Sequence, residues 1–67
     1  MKINVNGATT ALSEASASVA SLVERMALTG KRIAVELNGQ IVPKSRYADT
    51  MLAEGDRIEI VGAVGGG

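Results

Sequence analysis

The sequence predicts an α+β fold in which a mixed sheet of about four or five strands packs on one main helix. Three observations carry that prediction. Asn-Gly occurs twice, at Asn6-Gly7 and Asn38-Gly39, each time at the end of a run that alternates between apolar and polar residues, and the pair suits a hairpin closed by a type I′ turn. Between the two pairs the apolar residues change to helical spacing. A last alternating run follows, and beyond it glycine dominates.

The elements follow in order. Ile3 and Val5 alternate with polar neighbours, which describes a first strand with one buried face. Past Asn6-Gly7 a return strand runs through Ala8-Thr9-Thr10-Ala11-Leu12, where the β-branched threonines favour extension. Residues 13–18 are rich in Ala and Ser but too short to link two domains. Ser18 is placed as an N-cap. After it Val19, Leu22, Val23 and Met26 form an apolar stripe with Glu24 and Arg25 on the other side, predicting a helix of about ten residues that ends near Gly30. That stripe is core.

The second half is made of shorter pieces. Ile33, Val35 and Leu37 alternate with Ala34 and Glu36 and lead into Asn38-Gly39, and Gln40-Ile41-Val42 returns. Pro43 lacks a backbone donor, which places this return at a sheet edge and ends it there. From Lys44 to Met51 there is room for a turn or two of helix, with Tyr47 and Met51 folding back on the core. Glu54-Gly55-Asp56 is a tight turn that launches Arg57-Ile58-Glu59-Ile60-Val61, with Ile58 and Ile60 facing inward and Arg57 and Glu59 outward. Two hairpins, a helix between them and a final strand beside the first compose the β-grasp, or ubiquitin-like, architecture, with a folded domain over residues 1–61 and a tail over 62–67. Strand order alone also permits other small α+β sheets.

Composition narrows the chemistry. The 67 residues suffice for one domain with a small core, and that core is needed for folding, which leaves little room for a deep catalytic cleft. The chain has neither His nor Cys. The usual general base at neutral pH, the thiol nucleophile and the side chains most used for zinc are therefore missing, and no catalytic or metal-binding set is expected. The lack of cysteine also fits a reducing, cytoplasmic setting. Seven basic residues balance seven acidic ones, without interleaved aromatics, so the signal for nucleic acid is weak, and Lys31-Arg32 reads as a solvated loop. Tyr47, the single aromatic, reads as packing. The opening Met1-Lys2 leads straight into a strand, so neither a targeting segment nor a membrane span is expected, and the chain reads as complete and soluble.

What remains for function is the glycine end. Gly65, Gly66 and Gly67 carry no side chain to pack, so they are expected to project as a thread that enters a channel too narrow for any residue with a Cβ. The reactive group is then the Gly67 carboxylate. Gly66, Gly65 and Val64 would thread into a partner, and Val61, Ala63, Arg57 and Glu59 are placed to touch it.

Asn38-Gly39-Gln40-Ile41-Val42-Pro43, Glu54-Gly55-Asp56-Arg57-Ile58-Glu59-Ile60 and the closing Gly66-Gly67 together resemble the ThiS family of thiamine-biosynthesis sulfur carriers. The resemblance spans the chain. It departs at Gly65, where the family pattern has a small residue such as alanine. The resemblance implies that a ThiF-type enzyme adenylates Gly67 with ATP and magnesium of its own. A sulfurtransferase or cysteine desulfurase then supplies sulfur, and a ThiG-type thiazole synthase consumes the resulting thiocarboxylate. It implies no cofactor bound by this chain and no catalysis by it. Two related chemistries fit the same end: the small subunit of molybdopterin synthase, and a ubiquitin-like modifier whose terminal glycine is joined to lysine. A plain interaction module with an idle tail is the fourth reading.

Overall fold

The computed structural model describes residues 1–62. Strand β1 (Lys2–Val5) turns at Asn6-Gly7 into β2 (Ala8–Ala11). Both turn residues have positive φ, 53° and 87°, as a type I′ hairpin requires. A short strand β3 (Ala17–Ser18) leads into helix α1 (Val19–Arg25). Strands β4 (Ile33–Leu37) and β5 (Gln40–Val42) form the second hairpin, whose Asn38 and Gly39 repeat the same φ pair at 51° and 87°. After a single 3-10 turn over Lys44–Arg46 come β6 (Met51–Leu52) and β7 (Arg57–Gly62).

Five strands make one sheet in the order β2-β1-β7-β4-β5, and β3 pairs with β6 in a second, two-stranded sheet. The last strand is central. It runs parallel to β1 and antiparallel to β4, so the sheet is mixed, as predicted, and β5 with its Pro43 lies at an edge. Inward residues Ile3, Val5, Val35, Val42, Ile58 and Ile60 close on Val19, Leu22 and Val23 of the helix, with Leu12, Ala17 and Leu52 completing the core. Tyr47 is half-buried against that core.

The helix starts where expected and stops early. The Ser18 hydroxyl accepts from the Ser21 N–H, and the Ser21 hydroxyl accepts from the Ser18 N–H, each at 3.1 Å, a capping box built from two serines. At the other end Ala27, not Gly30, takes the left-handed conformation, with φ 60°. The Leu28 N–H donates to the Val23 carbonyl and the Ala27 N–H to the Glu24 carbonyl, both at 3.0 Å, which is the bond pattern of a Schellman motif. The predicted ten-residue helix is therefore seven residues long. Met26, read as part of the buried stripe, caps it and is 38% exposed. Gly30, at φ 81°, instead serves the next turn, closed by the Lys31 N–H on the Leu28 carbonyl.

Met51 is the second correction. It is 54% exposed, and Leu52 is the buried residue. The cause is pairing: residues 51 and 52 are extended against Ser18 and Ala17, and strand alternation allows only one of the two to face the core.

Outside the core, the loop before the helix is tied to its far end by an ion pair between Glu14 and Arg25. A backbone hydrogen bond, with a smaller contribution from Arg25, holds the Glu14 carboxyl below the usual carboxylate range.

Candidate functional site at the last strand

The chain enters its tail from β7, so whatever fixes β7 fixes the base of the tail. Strand β1 covers only its first part, pairing Asn4 with Arg57 and Val5 with Ile58 before turning away at Asn6. There a side chain takes over the ladder. The Asn6 carboxamide donates through Nδ2 to the Ile60 carbonyl at 3.1 Å and accepts through Oδ1 from the Ile60 N–H at 2.8 Å, while the Asn6 backbone N–H donates to the Ile58 carbonyl at 2.9 Å. One side chain thus satisfies both backbone groups of Ile60, as a paired strand would.

The other Asn-Gly turn does the same at the start of the strand. Asn38 Oδ1 accepts from the Arg57 N–H at 2.9 Å, and the Asn38 N–H donates to the Arg57 carbonyl at 2.7 Å. Its Nδ2 donates to Asp56 Oδ1 at 3.0 Å, and Asp56 Oδ2 accepts from the Ala53 N–H at 2.7 Å, which ties the clamp to the turn at Gly55. Along the other edge β4 pairs continuously, from Leu37 with Ile58 to Ile33 with Gly62.

Of the residues expected to meet a partner, Arg57, Glu59 and Val61 are exposed on one face of β7, opposite Ile58 and Ile60, and Val61 is 58% exposed. Ala63, Val64, Gly65, Gly66 and Gly67 lie outside the described residues. Register adds what residue order could not show. Glu59 sits directly opposite Glu36 on β4, and Glu36 directly opposite Ile41 on β5, which is 67% exposed. Like charges facing across a strand pair cost about 0.2–1 kcal/mol, and among the described residues neither carboxylate is in an ion pair. The outer face of β7 and its neighbours thus carries an uncompensated acidic pair flanked by exposed aliphatic groups.

Such a face can grip another protein. Among the described residues no cluster of His, Cys, Asp or Glu could hold a metal ion, and no helix is long and apolar enough to cross a membrane. Asn6 and Asn38 are the clamping positions that sequence reasoning missed: Asn-Gly announces the turn, and nothing in the pattern announces the carboxamide's bond to a strand 54 or 19 residues away. The Glu36–Glu59 pair likewise exists only once β4 and β7 are paired.

A model of the ThiS family matches residues 3–67, through the closing glycines. The chain belongs to the ThiS family. It shares 28% identity and a TM-score of 0.88 with the crystal structure of the thiamine biosynthesis protein ThiS from Geobacter metallireducens, each chain covered in full. The solution structure of a thiamine biosynthesis protein from the same organism aligns at 29% identity and a TM-score of 0.79, over all of this chain and 88% of that one. These likenesses carry the β-grasp assignment beyond what strand order alone allowed. The chain is also 42% identical over 67 residues to a thiazole synthase of Paramagnetospirillum magneticum. The match takes in all of this ThiS-family chain and spans about a fifth of that relative's length.

Proposed function

We propose that this ThiS-family chain is a sulfur carrier of thiamine biosynthesis whose Gly67 carboxylate is adenylated, converted to a thiocarboxylate and used as the sulfur donor for thiazole formation. The observation that carries the reading is the family match running through Gly66 and Gly67, at the end of a strand clamped on both sides. A carboxylate is a poor acyl donor until one of its oxygens belongs to a good leaving group. A Gly67 oxygen attacks the α-phosphorus of ATP and pyrophosphate leaves; the terminal sulfur of a donor persulfide then attacks the acyl carbon, AMP leaves, and a thiol cleaves the resulting acyl disulfide at the donor's sulfur, forming a disulfide with it and releasing the thiocarboxylate. The partner, a ThiF-type enzyme, supplies the magnesium and phosphate contacts for the first step.

The other partners follow from the same reading. A sulfurtransferase or cysteine desulfurase provides the sulfur, and a ThiG-type thiazole synthase receives it. The thiazole synthase relative supports the last of these, because it contains a segment like this chain within a protein of that name. The chain acts as a protein co-substrate, and Arg57, Glu59 and Val61 form the face that its partners grip. A cytoplasmic setting accompanies the reading, since ATP and a persulfide donor are both found there.

The test is intact-mass spectrometry of the protein made in cells that contain the activating machinery. One oxygen replaced by sulfur, localised to Gly67 by fragmentation, is the expected result; carboxylate alone, where a known carrier is charged, refutes the proposal. Deleting Gly66 and Gly67 is expected to abolish charging and leave the thermal midpoint unchanged, because no core residue is touched. In ATP–pyrophosphate exchange Gly66→Val is expected to fail and Gly65→Ala to work, since a β-branched side chain both fills a narrow channel and excludes backbone angles open to glycine.

A further inference from the structure

On the helix side of the sheet, away from Arg57, Glu59 and Val61, lies a cleft of about 130 Å³. Its walls are apolar: Ala20 and Val23 of α1, Leu28 after it, Ile33 at the start of β4, and Tyr47. Its frame is fixed by backbone hydrogen bonds. The Ala20 N–H donates to the Tyr47 carbonyl at 3.0 Å and the Val19 N–H to the Thr50 carbonyl at 2.9 Å, while the Schellman motif and the turn at Gly30 hold the opposite lip. The cleft is therefore formed before anything enters it.

Two lysines, Lys31 and Lys44, line the same cleft. Among the described residues the one ion pair is that of Arg25 with Glu14, so neither ammonium has a carboxylate partner. Arg32 and Arg46 flank the lining residues in sequence. Residues 25–46 hold five basic side chains (Arg25, Lys31, Arg32, Lys44 and Arg46) against one acidic one, Glu36, in a chain whose net charge is zero. The two cleft-lining lysines therefore bring positive charge to its rim with no carboxylate among its lining residues.

Size and charge select the occupant. Pockets for small organic ligands usually run to about 300–1,000 Å³, whereas a cleft of this size takes one aliphatic or aromatic side chain, the anchor of a larger protein contact. The cationic rim requires negative charge beside that anchor. We propose that this cleft is a second docking site, a socket for one apolar side chain flanked by carboxylates on a partner protein. Ile33 pairs with Gly62, the first residue of the predicted tail, which the structure instead places at the end of β7, so a protein seated in the socket stands against the end of that strand from the face opposite to Val61. The proposal holds whether or not the tail carries sulfur.

The test is titration of the isotope-labelled full chain, followed by amide NMR, with the capped tripeptide Glu-Leu-Glu and with Lys-Leu-Lys, Glu-Gly-Glu and hexanoate as comparisons. Saturable shifts confined to Ala20, Leu28, Ile33 and Tyr47 with Glu-Leu-Glu, and none of that pattern with the others, are expected. The surface double variant Lys31→Glu/Lys44→Glu, with spectra showing the fold retained, is expected to weaken the binding by about tenfold or more. Equal response to Lys-Leu-Lys, shifts centred on Val61, or an unaffected double variant overturns the proposal. Hexanoate binding as tightly as the peptide overturns it in favour of a small organic acid. Changes at the same four amides on deleting residues 65–67, without any peptide, overturn it in favour of the chain's own tail.

Discussion

Asn6 shows how much one side chain can do in a protein of this size. Its backbone adopts the positive φ of the hairpin turn while its carboxamide closes both hydrogen bonds of Ile60. Asn6→Gly separates the two roles, because glycine keeps the turn and removes the clamp. The expected loss is about 1–3 kcal/mol in urea unfolding, with an unchanged slope and faster hydrogen exchange at Ile60. Ala27 points the other way. A left-handed alanine is strained by about 1 kcal/mol, so Ala27→Gly is expected to raise stability by about 0.5–1 kcal/mol, reduced by the extra freedom glycine gives the unfolded chain. Thermal denaturation reads it directly. Glu14 supplies a pH dependence. Its folded carboxyl is held below the ordinary range, so its contribution is present above the unfolded value and lost as pH falls through the folded one. A carbon-detected titration is expected to place the Glu14 midpoint low, and Arg25→Ala to raise it only in part, since the backbone hydrogen bond is the larger cause. At this scale the sequence was half legible: Asn-Gly marks a turn by chemistry local to two residues, whereas the clamps and the alanine cap depend on strands and carbonyls that sequence order does not bring together.

The elements were more legible wherever a hydrophobic period could run its course. Both hairpins, the Ser18 cap and the inward set Ile58 and Ile60 follow from alternation and turn chemistry, and each is found. The misreadings fall where elements are too short for a period to declare itself. Glycine is the usual helix terminator, so the pattern predicts α1 as far as Gly30, and the two-residue strands β3 and β6 offer no alternation to read, so the pattern turns Met51 to the core where the structure buries Leu52. Two predictions belong to the paired strands. Val35 is fully buried in β4, and Val35→Ala is expected to cost about 1–4 kcal/mol in chemical denaturation, a large share of a small domain's stability. Glu36→Lys, facing Glu59, is expected to add about 0.2–1 kcal/mol, measured the same way. If the outer face is where partners grip, that variant gains stability while losing exchange with the activating enzyme, and the opposition of the two effects explains why the acidic pair stands where folding alone would not put it.

In the whole molecule the arrangement turns on which strand is central. Strand β7 lies between β1 and β4, so the two hairpins meet only through it, and the sheet has no middle until Arg57–Gly62 is in place. Its partner β1 lies more than fifty residues away along the chain, a separation that makes closure a slow, late event compared with forming either hairpin. During synthesis this has a direct result. While the ribosome still holds the last strand, the nascent domain consists of two hairpins and a short helix with no shared sheet, and a message truncated before Arg57 yields a chain that never acquires one. Proteases remove such chains by sampling their open state. Copies that survive as folded protein have therefore been read through Arg57–Gly62, and the topology itself screens for chains that carry the strand leading into the glycines.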